Sequence, residues 1–260
     1  VKHRALGLYA VLVLFLSVTV GAPVVRADTL TVGAASSLTN VLNDIGQAFT
    51  KANPQITVRF TFAASGTLMQ QIRQGAPLDV FASASPKEMD ALTTDGSILK
   101  ETRIAFVGNH LALIAPLNSS LKRWEDLRLP SVKRVALSDP TSVPSGRYAK
   151  ETLTKRGLWS IVQTKAVFGQ NVRQTLAYVA NGDVDAGIVF TTDAKIDKKV
   201  KVITEAVPGK DHSPILYPAA VVTRSKNADS ARRFVRFLQS PTAQAIFRHY
   251  GFTPIGATTK

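Results

Sequence analysis

Hydrophobic positions along the chain switch repeatedly between two periods. Leu38, Val41, Leu42, Ile45 and Phe49 fall at i, i+3, i+4, i+7 and i+11, which is one face of a helix. Directly before them, "LTVGA" (30–34) reads as a short buried strand. The couplet recurs. "ITVRFTF" (56–62) leads into "SGTLMQQIRQG", "DVFASA" (79–84) into "SPKEMDALTTDG", and "RVALS" (134–138) into "GRYAKETLTKRG". "TKAVF" (164–168) leads into "NVRQTLAYVANG", where Val172, Leu176 and Val179 share a face, and "AGIVF" (186–190) and "KVIT" (201–204) follow. Strands alternating with helices predict an α/β fold whose largely parallel sheets are covered on both faces. The segment 85–96 is fully punctuated: Ser85 as N-cap, Pro86 at the first helical position, Glu88 completing a capping box and Gly96 as the stop.

Two apolar runs, "IAFVGNHLALIAP" (104–116) and "PILYPAAVVT" (214–223), are too long for one ordinary strand each. They predict crossover segments between two lobes. Residues 28–108 and 217–260 then form lobe 1, and residues 109–216 form lobe 2. The helical stretch at Ala231, Phe234, Val235 and Leu238, and "SPTAQAIFRHYGF" after it, return to lobe 1. There is no internal repeat and no low-complexity segment.

The N-terminus changes how the charge is counted. Lys2, His3 and Arg4 precede an apolar stretch, Ala5 to Val20, followed by Gly21, Ala22 and Pro23. Small residues at Val25 and Ala27 suit cleavage after Ala27, so residues 1–27 read as a secretory signal peptide and the mature chain as periplasmic. The apolar stretch reaches only the lower limit for a membrane span, and Pro23 argues against an anchor. The chain has no cysteine, which excludes disulfides and lipid attachment through a thiol. Removal of Lys2, Arg4 and Arg26 lowers the formal charge from +14 to +11. That excess favours anionic partners by long-range steering. It is dispersed, however. The tightest cluster, Lys195, Lys198, Lys199 and Lys201, has no interleaved aromatics and reads as a solvated face, so nucleic acid is not an expected partner.

Four places combine a strand end, a small polar turn and a helix start: "AASSL" (34–38), "AASGT" (63–67), "DPTSVPSGRY" (139–148) and "FGQNVR" (168–173). Any one alone is a helix cap. Two in each lobe, on the carboxyl edge of each sheet, would face one another across a cleft and offer unpaired N–H groups to a small anion. The turns carry no obvious base. Arg147 and Arg173 are expected to point outward from their helix first turns, and Asp139, before Pro140, to shape its turn. Donors without an acceptor suit an anion that carries no proton, each bond contributing about 1.5–3 kcal/mol. Catalysis is not expected. There is no Gly-x-Ser-x-Gly elbow, and His110, His212 and His249 lack the spacing of metal ligands, reading instead as surface or packing residues.

"AASSLTNVLNDI", "FAASGTLMQQIRQGAPLDVFASAS", "DPTSVPSGRYAKETL", "NVRQTLAYVANGDVDAGIVFTTDA" and "IFRHYGF" occur in that order through 30–253. Together they resemble the periplasmic molybdate-binding proteins of ABC transporters. The resemblance implies a two-lobed type II periplasmic binding protein, a monomer that clasps molybdate or tungstate and delivers it to a membrane permease. No cofactor is implied, and molybdenum is held only as its oxyanion. By motif, Ser37 and Ser65 would donate hydroxyl and backbone N–H groups, and Ser145 and Val172 backbone N–H groups. The fifth family position, a tyrosine after "GIV", is Phe190 here. Alternation along the strand puts Thr191 on the opposite face, so Thr192 or a water is expected to replace the missing hydroxyl. Sulfate, another tetrahedral dianion, is the alternative ligand, and a secreted hydrolase the alternative class.

Overall fold

The computed structural model describes residues 28–255; the candidate signal peptide lies outside the described residues. The first strand, β1 (Asp28–Ala35), passes through a 3-10 turn, Ser36–Leu38, into α1 (Thr39–Ala52). Then come β2 (Ile56–Ala63), α2 (Ser65–Arg73), β3 (Val80–Ala82), α3 (Pro86–Thr94), β4 (Ile104–Asn109) and β5 (Leu111–Pro116). The middle of the chain forms β6 (Val135–Ser138), α4 (Pro144–Lys155), α5 (Trp159–Val162), β7 (Ala166–Gly169) and α6 (Val172–Ala180). It continues through β8 (Ala186–Phe190), α7 (Thr191–Lys195) and β9 (Val200–Glu205). The last elements are β10 (Ile215–Val221), α8 (Ala228–Phe237), α9 (Pro241–His249) and β11 (Thr253–Pro254).

These strands make two sheets, ordered β11-β4-β10-β3-β1-β2 and β7-β6-β8-β5-β9. The chain passes from the first to the second at His110, between β4 and β5, and returns between β9 and β10. The long run 104–116 is thus split between sheets. The run 214–223 instead stays in the first sheet, where β10 lies between β3 and β4. Both sheets are mixed. The strands that feed the cleft pair in parallel, β1 with β2 and β3, and β6 with β7 and β8. Those at the crossings, β4, β5 and β10, pair antiparallel, because a chain leaving one sheet for the other enters it from the opposite end.

The amphipathic pattern of α1 becomes packing. Leu38, Val41, Leu42, Ile45 and Phe49 are all buried, and Phe49 meets Phe234 and Phe237 of α8 edge-on, with centroids 5.2 and 5.4 Å apart. Each large side chain so buried contributes about 1.5–3 kcal/mol, which ties the C-terminal helices to the first sheet. Lobe 2 has its own filling in Trp124, Leu153, Val162, Val179 and Ile188. At α3 the Ser85 hydroxyl accepts from the Lys87 amide at 3.2 Å, and Gly96 takes the positive φ of a helix stop, +71°. Glu88 does not close a capping box. It reaches across the cleft to Arg147 instead.

Candidate functional site

Four chain segments reach one small cavity between the sheets. It has a volume of about 10 Å³ and is lined by Ser36, Ser37, Ser65, Ser145, Val172 and Phe190, with Ala35, Ala63, Ala64, Ala84, Val143 and Pro144 between them. All five residues singled out from the sequence are therefore brought together. None of the lining residues is ionisable. Each segment follows the carboxyl end of a parallel strand: β1 before Ser37, β2 before Ser65, β6 before Ser145 and β7 before Val172.

The helix starts leave their amides free for the cavity. Pro144 takes the first position of α4, so Ser145 brings that helix's first amide, and Val172 opens α6 behind the N-cap Asn171. The Asn171 side chain accepts from Arg173 and Gln174 but not from Val172. Among the described residues, no hydrogen bond engages the amides of Ser37, Ser65, Ser145 or Val172. Those N–H groups also lie at the partially positive ends of their helices.

Hydroxyl directions differ between lobes. The Ser65 Oγ accepts from the Ala84 amide at 3.0 Å, which leaves its proton for the cavity. Ser145 does the reverse. Its hydroxyl donates to the Ser138 Oγ at 2.8 Å; Ser138 and Thr175 are 2.9 Å apart, and Thr175 donates to the Asn171 carbonyl at 3.1 Å. A carbonyl only accepts, so this chain runs away from the cavity and Ser145 presents its amide alone. Ser37 is 3.1 Å from the hydroxyl of Tyr217, a residue no sequence signal pointed to.

Phe190 is buried against the cavity, with its ring centroid 5.9 Å from that of Tyr217 and 6.4 Å from that of Tyr148. The expected replacement donor, Thr192, does not line the cavity. Its hydroxyl oxygen accepts from Asn109 at 2.8 Å, because α7 begins directly after Phe190 and turns Thr192 into the hinge.

Arg147 and Arg173 do not point outward. Arg147 pairs with Glu88 of lobe 1 at 2.6 Å and donates to the Ser85 hydroxyl at 3.3 Å. Arg173 donates to the Asn40 side chain at 2.7 Å and to the Ser37 carbonyl at 3.3 Å, while pairing with the fully buried Asp193 at 2.5 Å. Burial pushes the Asp193 carboxyl up to about 6, outweighing Arg173. A backbone bond, from the Gly66 amide to the Ser142 carbonyl at 3.0 Å, also joins the lobes. A Cβ on Gly66 would collide with that carbonyl oxygen, so the approach requires glycine. Asp139 shapes its turn as expected. Burial pushes its carboxyl up, but bonds from Thr141 and Ser142 hold it below the ordinary value. Of the histidines, His212 is buried against Tyr148 and His249 is exposed, and no group of three metal-ligating side chains occurs among the described residues.

Known proteins share this architecture. The chain is 39% identical to the molybdate-binding protein of Haemophilus influenzae, over 86% of this chain and 89% of that one. It is also 39% identical to the molybdate-binding protein of Escherichia coli, over 86% and 88%. The periplasmic molybdate-binding protein of Azotobacter vinelandii has the same fold, with a TM-score of 0.77 at 24% identity, covering 86% of this chain and 98% of that one. A match to the bacterial extracellular solute-binding proteins extends over residues 30–253, which takes in both sheets and all four turns at the cavity, and the chain belongs to that family.

Proposed function

We propose that this chain binds molybdate or tungstate between its lobes and hands it to the membrane permease of an ABC importer. One observation carries the reading: four helix starts from two lobes meet at a cavity with donors and no ionisable side chain. Such a lining does not suit a cation, which needs carboxylates or other strong ligands to balance its charge. The volume, about 10 Å³, is far below the roughly 300–1,000 Å³ of pockets for drug-sized ligands, so a single small ion suits it better than a sugar or peptide. The identity to relatives named molybdate-binding adds support for the ion. With no acid, base or histidine on the lining, the chain serves as a binding protein rather than a hydrolase. No cofactor is needed, since the chain supplies every donor. Export through residues 1–27 would place it in the periplasm.

Titration calorimetry with molybdate, tungstate, sulfate and phosphate tests this. Molybdate and tungstate are expected to bind alike. Sulfate is smaller and cannot reach both lobes at once, so it leaves donors desolvated and unpaired and binds far more weakly. Ser65→Ala removes one charge-assisted bond, with an expected loss of about tenfold or more for molybdate. Equal affinity for sulfate, or an unchanged affinity in Ser65→Ala with only a lower melting temperature, would refute the reading.

A further inference from the structure

Behind Ser37 lies a buried group of polar side chains whose proton directions can be fixed one by one. Asn109, the last residue of β4, sits at its centre. Its Oδ1 is 2.9 Å from the His110 amide, which can only donate, so the orientation of the side-chain amide is unambiguous. The same Oδ1 accepts from the Thr191 hydroxyl at 3.2 Å. Its Nδ2 therefore donates twice, to Thr192 at 2.8 Å and to the Tyr217 hydroxyl at 3.1 Å. The Tyr217 oxygen, already accepting, has its own proton to place, and its other neighbour is the Ser37 Oγ at 3.1 Å. Tyr217 thus donates to Ser37, and the Ser37 proton is left for the cavity. Burial keeps the phenol in its protonated, donating form.

We propose that Tyr217, held by Asn109, is a positioning residue that turns the Ser37 hydroxyl proton into the cleft and makes the site reject oxyanions that still carry a proton. The proposal rests on reading the cavity as an oxyanion site and adds to it the groups that set its selectivity. A ligand O–H could be accepted only by the second lone pair of the Ser37 oxygen, and the Ser37 proton would then lose its acceptor in the cleft. With Ser65 pinned the same way by Ala84, and Ser145 and Val172 presenting amides, a ligand O–H directed at any of these four donors finds no partner; Ser36 is the one lining serine without an orienting bond among the described residues. Leaving such a group desolvated and unpaired is unfavourable. The relay also draws on both lobes, since Thr191 and Thr192 belong to α7 and Tyr217 to the first sheet.

The test uses the full mature chain, with Tyr217→Phe, Ser37→Ala and the double variant titrated with molybdate. Tyr217→Phe is expected to weaken binding by about threefold to tenfold. In the Ser37→Ala background the same change is expected to have no further effect, because its action runs through Ser37. A purely structural role for the tyrosine would give additive losses and overturn the proposal. A second readout compares sulfate with the hydrogen phosphate dianion in mildly alkaline buffer, where both carry two negative charges and only one carries a proton. The unaltered chain is expected to favour sulfate by about tenfold or more, and Tyr217→Phe to narrow that ratio. Equal binding of the two ions by the unaltered chain overturns the proposal without any variant. A loss in Ser37→Ala with none in Tyr217→Phe removes the relay but leaves the oxyanion site. No molybdate binding by the unaltered chain removes both.

Discussion

Arg147→Met should weaken molybdate binding while leaving the ligand-free fold nearly as stable as before. Arg147 belongs to lobe 2 and Glu88 to lobe 1; their side chains are 19% and 4% exposed, and the contact is 2.6 Å. Removing one partner of a buried ion pair ordinarily costs about 3–5 kcal/mol, because the stranded charge cannot regain water. Here it can. When the lobes part, Glu88 is hydrated, so the penalty falls on the closed arrangement alone. Within the pair the contact is single, since Glu88 Oε2 and Arg147 Nη1 are without a hydrogen-bond partner, and the further bond lost with Arg147 is the long one, 3.3 Å, to the Ser85 hydroxyl. One charge-assisted hydrogen bond, about 1.5–3 kcal/mol, is then the loss to closure. A ligand that needs both lobes must make up that difference, and its apparent affinity falls by about tenfold to a hundredfold.

Calorimetric titration with molybdate, paired with thermal melting of the ligand-free protein, separates the two effects. Solution scattering should add that Arg147→Met is more open without ligand and needs more molybdate to close. The reasoning fails if the ligand-free melting temperature drops by several degrees while the affinity is unchanged. That result would make the pair part of the fold, not of closure.

Phe190→Tyr places a hydroxyl at the cavity wall and is expected to tighten molybdate binding by about 0.5–1.5 kcal/mol, read by titration; unchanged affinity in a folded variant would mean the ring is packing only. Asp193 gives a pH signature. Its folded carboxyl titrates at about 6 against an ordinary 3.8, so the folded state binds the extra proton between these values, and the contribution to stability is present below about 4 and lost as pH rises through about 6. His212, whose imidazole burial pulls down, acts in the opposite sense in part of this window. The readout is therefore the difference between wild type and Asp193→Asn in denaturant melts, which should change by up to roughly 3 kcal/mol across the window; a constant difference would contradict the assignment.

What the sequence reveals about this fold is mostly local. The spacing of Leu38 to Phe49 predicts a buried helix face because side-chain direction repeats with the backbone, and the five residues are buried together. The four turns at the cavity were legible for the same reason, each lying just past a strand end where helix amides are unpaired, whereas the choice of Ser37, Ser65, Ser145 and Val172 within them came from the resemblance. Phe190 needed the resemblance, since nothing in "AGIVF" separates a cavity wall from core. What stayed hidden depends on residues far apart in the chain. Arg173 is 136 positions from Ser37, and Tyr217 is 180. Glu88 shows the ambiguity most clearly. Three positions after Ser85 it satisfies the capping-box pattern, yet an arginine brought across the cleft binds its carboxylate more strongly than a backbone amide does. The antiparallel strands were hidden for a similar reason, because hydrophobic alternation is the same whichever way a strand runs.

The two lobes reach a donor-only cavity by opposite arrangements of similar residues. In lobe 1 the Ser65 hydroxyl receives a hydrogen bond from behind, and Ser37 receives one in the relay proposed above, so each hydroxyl faces inward as a donor. In lobe 2 the Ser145 hydroxyl gives its proton away, through Ser138 and Thr175 to the Asn171 carbonyl, which leaves a backbone amide as that residue's contribution. Amides cannot reverse their polarity, whereas hydroxyls can. Only the lobe 1 serines therefore need a partner that fixes direction, and Ser37 and Ser65 have one, while Ser36 has no orienting bond among the described residues. The same asymmetry predicts where selectivity can be altered. Ser138→Ala should leave the preference for unprotonated oxyanions intact, because the Ser145 amide still faces the cavity, although stability falls by about 1 kcal/mol for the lost bonds. A change in the ratio of sulfate to hydrogen phosphate affinity in Ser138→Ala would show that the Ser145 hydroxyl, freed from its acceptor, enters the cavity after all.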